Sequence, residues 1–285
     1  MDDGSSFTRR EQWVTAPDGG RFLLTWIEPA RPTQRPLVFV PGMFTGREFW
    51  VSDRGVGLAA YLAQAGFPGL IVQRRAADCG ARPGLEEHLR HDLPLAQQMA
   101  ERTWQAPAFW IGHSFGGVLS ARAVAETLDQ GRVAGLVLFA AQFEVGKRPL
   151  HGLGGFATRM LTAALGRFPA RRFGLGSRDE PPAAMRDASR LVVEGRRRPD
   201  IRRALAKVEV PVLAISGSGD NVDPSEGCRR LIEHFASRDK RFIAAGRAQG
   251  YLADYDHPGI VVSKQARQEI WPLVRDWLLE HDRPA

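Results

Sequence analysis

Short apolar runs alternate with amphipathic stretches along most of the chain. Two of these runs, Gln12–Thr15 and Arg21–Ile27, flank the turn signal Asp18-Gly19-Gly20 and predict a β-hairpin. The later runs are apolar at consecutive positions, which is typical of parallel strands that are covered on both faces. They predict strands at Leu37–Val40, Gly69–Val72, Ala108–Ile111, Val133–Phe139, Val210–Ile215 and Lys240–Ala244.

Stretches with helical periodicity lie between these strands. The last one places Ile270, Val274, Trp277 and Leu278 on one stripe, which is a packing face. Strands that alternate with helices favour an α/β fold with a mostly parallel sheet, and the hairpin then lies at one edge of that sheet. The predicted helices are Gly57–Ala65, Leu85–Arg102, Phe115–Leu128, Pro224–Phe235 and Lys264–Glu280.

One long segment interrupts this alternation. Residues 142–207 contain no convincing strand, but they include the amphipathic stretches Phe156–Leu165 and Ala183–Val193. Structureless loops of such length are uncommon within a compact domain, so the segment is expected to have structure of its own. We therefore predict a helical insertion at 142–207 between two parts of one core, 1–141 and 208–285.

The composition is that of an ordinary globular protein. The chain has 285 residues, of which 44% are hydrophobic and 25% charged. Its two cysteines match no zinc motif and predict isolated thiols. No apolar run approaches the ~20 residues of a membrane span, and the first residues lack the pattern of a signal peptide. These features predict a soluble, cytoplasmic protein without stable membrane insertion.

The net charge of +7 is concentrated in the predicted insertion. Residues 142–209 hold 15 of the 39 basic residues and 7 of the 32 acidic ones, so the rest of the chain is nearly neutral. The clusters Arg171-Arg172 and Arg196-Arg197-Arg198 predict a solvated helical face, with an acidic substrate or carrier, or an anionic membrane surface, as alternatives. Nucleic acid is not expected as a partner, because no aromatic residues interleave with these charges.

The strongest chemical signal is the segment Gly112–Gly117. It matches G-x-S-x-G, with a predicted strand directly before it and a predicted helix directly after it, which is the context that a nucleophile elbow requires. Gly112 and Gly116 would avoid a Cβ clash at the sharp turn. Ser114 would then project at the carboxyl end of the sheet, where open α/β sheets bind ligands. The following helix would offer free N–H groups to a developing oxyanion.

Taken together, five segments resemble the α/β-hydrolase superfamily, and most of all its lipase/esterase and monoacylglycerol-lipase-like branches. The resemblance spans nearly the whole chain. It implies an eight-stranded, mostly parallel sheet flanked by helices, a helical cap inserted after the sixth strand, and a Ser-Asp-His triad. The segments are Phe39–Phe44, Tyr61–Gly66, Gly112–Gly117, Gly217–Pro224 and Asp256-His257.

The resemblance also implies partners for Ser114, because a serine hydroxyl is a weak nucleophile without a base and a group that orients the base. His257 lies in the loop where the family carries its base, after the last predicted strand. Asp220 follows a glycine-containing turn and precedes Pro224, as the family's acid does, and Asp223 is the competing candidate. The order of serine, aspartate and histidine along the chain is that of this fold.

The other histidines are predicted to be structural. His113 adjoins the nucleophile, and its side chain is expected to point elsewhere and to pack. His88 and His91 form an isolated H-x-x-H, which is a weak metal signal, so no metal site is predicted. No motif surrounds the remaining three, which are His151, His234 and His281.

A tetrahedral intermediate needs two N–H donors for its oxyanion. The backbone N–H groups of Phe115, which follows the nucleophile, and of Met43 are the predicted donors. Many relatives carry His-Gly before the second donor, whereas this chain carries Pro41-Gly42. The change removes a supporting side chain but leaves the donor itself in place.

Aromatic residues near these donors predict an apolar substrate pocket. Phe44 and Phe115 are candidates to line it, and Phe49 or Trp50 are further candidates, which is consistent with an apolar acyl group. Core packing is the alternative for each of these side chains.

These observations predict a serine hydrolase that cleaves a small-molecule carboxylic ester through an acyl-Ser114 intermediate without a cofactor. A thioesterase or acyltransferase with the same triad is one alternative, and a catalytically silent binding protein of the same fold is another. No H-E-x-x-H, Walker A or dinucleotide fingerprint is present. The sequence leaves the oligomeric state open.

Overall fold

Within residues 7–144 and 152–282, which a computed structural model describes, eight strands form one sheet in the order β1-β2-β4-β3-β5-β6-β7-β8. The hairpin β1–β2 is antiparallel and lies at one edge, β2 is antiparallel to β4, and all other neighbouring pairs are parallel. The strands are β1 Phe7–Thr15, β2 Arg21–Pro29, β3 Leu37–Val40, β4 Gly69–Gln73, β5 Ala108–His113, β6 Val133–Phe139, β7 Val212–Gly217 and β8 Lys240–Ala245.

This sheet confirms the predicted α/β class, with every predicted strand present. Strand β7 begins and ends two residues later than the predicted Val210–Ile215. Pro211 has no N–H to donate to a ladder, and the pairing of β7 with β6 starts at Val212. The strand therefore begins after the proline.

Helices cover both faces of the sheet. The predicted helix Leu85–Arg102 is divided, because a π-helical turn at His88–Asp92 separates α2 from α3. Pro94, in the first turn of α3, lacks the N–H that a continuous helix would use there. The helices are α1 Leu58–Gln64, α2 Leu85–Glu87, α3 Leu93–Trp104, α4 Phe115–Glu126, α5 Gly152–Leu165, α6 Pro182–Glu194, α7 Pro199–Leu205, α8 Ser225–Glu233, α9 Gly259–Val262 and α10 Lys264–His281.

The hydrophobic core is split into two layers by the sheet. In β5, Phe109 and Ile111 belong to the layer that includes residues of α1 and α10. Ala108 and Trp110 point to the opposite layer, with residues of α3, α4 and α8. Because successive side chains of a strand face opposite sides, a strand that is covered on both faces is apolar at every position.

Three helices, α5, α6 and α7, lie between β6 and β7, within the segment predicted as an insertion. Met185 and Leu191 of α6 are buried in the same apolar layer as α4, so this helix packs onto the core. Of the predicted domains, residues 1–6, 145–151 and 283–285 lie outside the described residues. None of the described helices combines the length and apolarity needed to cross a bilayer.

Candidate active site

The segment around Ser114 forms a tight turn between β5 and α4. Ser114 has φ +54° and ψ −127°, a positive φ that is uncommon for a non-glycine residue. A Cβ on Gly116 would lie 2.2 Å from the carbonyl oxygen of Val40, and one on Gly112 would lie 2.5 Å from Cα of Gly117. The turn therefore requires glycine on each side of the serine, as the G-x-S-x-G pattern predicts.

His257 forms a hydrogen bond with Asp220. Its Nδ1 lies 2.8 Å from Oδ2 of Asp220, whose side chain is fully buried. Oδ1 of the same carboxylate accepts hydrogen bonds from the backbone N–H groups of Val222 and Asp223, each at 2.8 Å. A proton on Nδ1 leaves Nε2 of the neutral ring as a proton acceptor. Of the two candidate aspartates, Asp220 is the one that faces His257.

Asp223, the competing candidate, contacts Ser114 instead. The Ser114 hydroxyl donates a hydrogen bond to Oδ2 of Asp223 at 3.3 Å. Asp223 is fully buried, and its Oδ1 accepts a hydrogen bond from the Gln142 side-chain amide at 2.7 Å. The sequence placed Asp223 at the correct edge of the sheet, but its contact with the serine depends on the path of the loop.

His113 is packed in the interior, as the sequence predicted, but its side chain lies beside His257 instead of pointing away from the site. Its Nε2–H donates to the backbone carbonyl of His257 at 2.8 Å, and the two ring centroids are 4.6 Å apart. The ring also stacks on Phe49, with 4.5 Å between the centroids. Burial, together with the nearby His257, lowers the pKa of His113 well below 6.5, so this ring is neutral. Its adjacency to Ser114 in the elbow was the only sequence signal for this contact.

The loop that contains Met43 is held by two residues that the sequence did not single out. Arg74 donates from Nη1 to the carbonyl oxygens of Pro41 and Gly42, at 2.9 and 2.5 Å. It also forms an ion pair with Glu180. Glu180 accepts a hydrogen bond from the N–H of Phe44 at 2.6 Å, and Phe44 has a positive φ of +64°. This buried ion pair therefore fixes the backbone of the loop.

A largely apolar cavity of about 230 Å³ lies at the carboxyl ends of the central strands, and Ser114 and His257 border it together. Trp50 is not part of this cavity. Its side chain is fully buried in the core, where it packs against Phe39 and Phe139. Apolar residues that line the cavity include Met43, Phe44, Phe49, Phe115, Phe168 and Leu175.

None of the other described histidines, and none of the arginines with described side chains in the two clusters, lines this cavity. His151 lies outside the described residues. His88 is buried and its Nδ1 is 2.9 Å from Asp92, a carboxylate that also binds Arg75. Among the residues with described positions, no group of three or more His, Cys, Asp or Glu is arranged to hold a metal ion. Arg171 and Arg172 are exposed. In the second cluster Arg198 pairs with Asp200, and the side chain of Arg196 lies outside the described residues.

A serine on a strained turn between a central parallel strand and a helix is the arrangement that defines the α/β hydrolases. The sheet order and the elbow place this protein in that class, as the sequence resemblance predicted. The family model described as serine aminopeptidase, S33, matches residues 80–248, which is more than half of the chain. The chain therefore belongs to this family.

Solved structures of lipases and esterases share the fold. A soluble variant of monoglyceride lipase from Saccharomyces cerevisiae, in complex with a substrate analog, superposes with a TM-score of 0.71 at 15% identity, over 100% of this chain and 99% of that one. An esterase from Thermogutta terrifontis superposes with a TM-score of 0.67 at 16% identity, over 97% of this chain and 100% of that one. The monoacylglycerol lipase of Paleococcus ferrophilus superposes with a TM-score of 0.62 at 16% identity, over 96% of this chain and 99% of that one.

Proposed function

We propose that this protein is a serine hydrolase that cleaves carboxylic esters through an acyl-Ser114 intermediate. The observation that carries the proposal is the 2.8 Å hydrogen bond between Asp220 and His257, because His257 and Ser114 border the same cavity. The fold that it shares with monoacylglycerol lipases and esterases supports the same chemistry.

Acylation begins with the Ser114 hydroxyl. Rotation about its Cα–Cβ bond moves the hydroxyl from Asp223 towards Nε2 of His257, which takes the proton while Oγ attacks the ester carbonyl carbon. Asp220 holds the ring in the correct tautomer and stabilises the imidazolium. The imidazolium then gives its proton to the leaving alkoxide, so an alcohol departs and the acyl group remains on Oγ.

The oxyanion of the tetrahedral intermediate accepts hydrogen bonds from the backbone N–H groups of Met43 and Phe115. Deacylation repeats these steps with water, whose proton passes to His257 while its oxygen attacks the acyl carbon. The bond between the acyl carbon and Oγ then breaks, Oγ takes the proton from the imidazolium, and the carboxylic acid departs. The scheme uses side chains, backbone donors and water, and we propose no cofactor and no metal.

The lining of the cavity supports an apolar substrate. Phe44 and its apolar neighbours fit an apolar acyl group of a small-molecule ester. Thr158 of α5 and Met185 of α6 also line the cavity, which supports a role for residues 142–207 as a cap over the site. A cytoplasmic location and the absence of a nucleic-acid partner stay predictions from the sequence.

An acyl-chain series of chromogenic esters and matched thioesters, measured with wild type and Ser114→Ala, tests this function. We expect ester hydrolysis and fluorophosphonate labelling in wild type, and loss of each in Ser114→Ala. Ser237→Ala removes a buried serine that does not line the cavity, and it serves as the control. Unchanged labelling of Ser114→Ala would contradict the nucleophile. A preference for thioesters would favour a thioesterase, and inactivity with every substrate would favour a binding protein.

A further inference from the structure

A second cavity, of about 140 Å³, adjoins the loop that contains Met43. Thr45 borders this cavity as well as the apolar one, so the two are neighbours. A cavity needs only ~10–15 Å³ to hold one water molecule, so this one has room for a small polar group. Four arginines line it, namely Arg74, Arg75, Arg167 and Arg178.

Carboxylates neutralise three of the four arginines. Arg75 is the clearest case. Its side chain is 1% exposed, and the carboxylates of two aspartates balance its positive charge. The pairs are Arg74 with Glu180, Arg75 with Asp18 and Asp92, and Arg167 with Asp179.

Arg178 is the exception. In the described part of the chain, its guanidinium donates no hydrogen bond and has no carboxylate within 4.0 Å, although the residue is half-buried. Burial lowers the pKa of Arg178 below its ordinary value, and Glu48 and Glu180 oppose that shift only from a distance. A second donor in the cavity wall is also unused, because Nε of Arg74 has no hydrogen-bond partner among the residues that the structure describes, although that side chain is only 8% exposed.

We propose that this second cavity, which we call the arginine pocket, binds one anionic group of the substrate, a carboxylate or a phosphate, through Arg178. The inference rests on the proposed ester hydrolysis and specifies its substrate as an ester with an apolar part and an anionic end. The planar fork of a guanidinium suits carboxylate and phosphate oxygens, and such charge-assisted hydrogen bonds are the strong ones. These arginines differ from the exposed clusters that the sequence singled out.

The place of the pocket supports a role in substrate recognition. The backbone N–H of Arg178 donates to the carbonyl oxygen of Phe44 at 2.9 Å, and Phe44 lines the apolar cavity. An ester whose reacting carbonyl lies at Ser114 can therefore extend past Thr45 and place an anion at Arg178. The apolar cavity alone would disfavour an anionic ester relative to a neutral one, because burying an unpaired charge is costly.

Matched esters test the arginine pocket. We would compare p-nitrophenyl hexanoate with the mono-p-nitrophenyl ester of hexanedioic acid, which adds a terminal carboxylate to the acyl chain. In a second pair phenyl acetate is the neutral ester, and 4-acetoxybenzoate carries the carboxylate on its leaving group instead. The variants are Arg178→Gln, Arg178→Lys and, as a matched control, Arg190→Gln, which removes an exposed arginine of α6 that borders neither cavity.

In wild type we expect the anionic member of one pair to have a higher kcat/KM than its neutral partner, and the preferred pair shows which side of the ester enters the pocket. Arg178→Gln is expected to raise KM for that anionic ester tenfold or more and to leave the neutral ester within about twofold. Arg178→Lys should recover part of the loss, and Arg190→Gln should change neither ester. Inorganic phosphate should inhibit hydrolysis of the anionic ester competitively if the pocket accepts phosphate as well as carboxylate.

Equal losses with both esters in Arg178→Gln, or no preference for the anion in wild type, would overturn the pocket while leaving ester hydrolysis intact. A readout without catalysis separates the two proposals. Calorimetric titration of hexanedioate into Ser114→Ala should show binding that disappears in Ser114→Ala with Arg178→Gln. Absence of that binding contradicts the pocket, whether or not the protein hydrolyses esters.

Discussion

The hydroxyl of Ser114 donates its hydrogen bond to Asp223, 3.3 Å away, while His257 is bound to a different carboxylate, that of Asp220. The two aspartates are three residues apart, and each is buried. One therefore contacts the proposed nucleophile and the other contacts the proposed base. This division predicts different consequences when each carboxylate is replaced by an amide.

Asp220→Asn should lower kcat by about 10³–10⁴, because an amide at this position favours the wrong tautomer of His257. Asp223→Asn should change kcat by less than about tenfold, because the imidazole keeps its orienting carboxylate. Steady-state kinetics with one chromogenic ester would measure each variant, with thermal unfolding as a check on folding. A larger loss in Asp223→Asn than in Asp220→Asn would reverse the assignment of the acid.

Glu180→Gln should affect both the loop that contains Met43 and the stability of the protein. Removing one member of a buried ion pair leaves Arg74 uncompensated, at a cost of ~3–5 kcal/mol in the free energy of unfolding. We also expect kcat to fall by about tenfold or more, with a smaller change in KM, because the N–H of Phe44 loses its anionic acceptor and the loop is less well ordered.

The double variant Arg74→Met with Glu180→Gln is the control for this prediction. It removes the unpaired charge and should recover part of the lost stability, measured by urea unfolding, without recovering kcat. Full recovery of kcat would show that the ion pair does not organise the loop.

His113 predicts a dependence of stability on pH. Its folded pKa lies well below the ordinary 6.5, so the neutral ring stabilises the fold above pH 6.5, and this stability is lost as pH falls towards the folded pKa. His113→Gln should therefore reduce the slope of unfolding free energy against pH below 6.5, by up to ~1.4 kcal/mol per pH unit. His91→Gln, a change at a half-buried position away from the cavity, is the control. Parallel slopes for wild type and His113→Gln would contradict the prediction.

Gly116→Ala should destabilise the fold severely. The added Cβ would lie 2.2 Å from the carbonyl oxygen of Val40, and a backbone atom in a sheet cannot move aside cheaply. We expect a loss of ~3 kcal/mol or more in the free energy of unfolding, or failure to fold. Gly174→Ala places its Cβ in open space. It should lower the free energy of unfolding by only ~1–2 kcal/mol, because a non-glycine residue is strained at the positive φ of this position. Similar costs for the two variants would contradict the close packing of the elbow.

Local sequence patterns determined the framework of this protein. Continuous apolar runs such as Ala108–Ile111 predicted strands covered on both faces, because alternate side chains of each strand must pack into opposite layers. The elbow at Gly112–Gly117 was equally predictable, since its steric requirement involves neighbours in the chain and one adjacent strand. The resemblance carried by these segments then placed His257 and Asp220 in the loops that meet at the same edge of the sheet.

Only the tertiary structure decided which side chains meet within that edge. Asp220 and Asp223 have the same chemistry and nearly the same position in the sequence, and the loop conformation directs one to His257 and the other to Ser114. Arg74 and Glu180 are 106 residues apart in the chain, and no local sequence pattern predicts their contact. Hydrophobic periodicity indicates which face of a helix or strand is buried. A hydrogen bond between side chains that are distant in the sequence depends instead on the path of every loop between them.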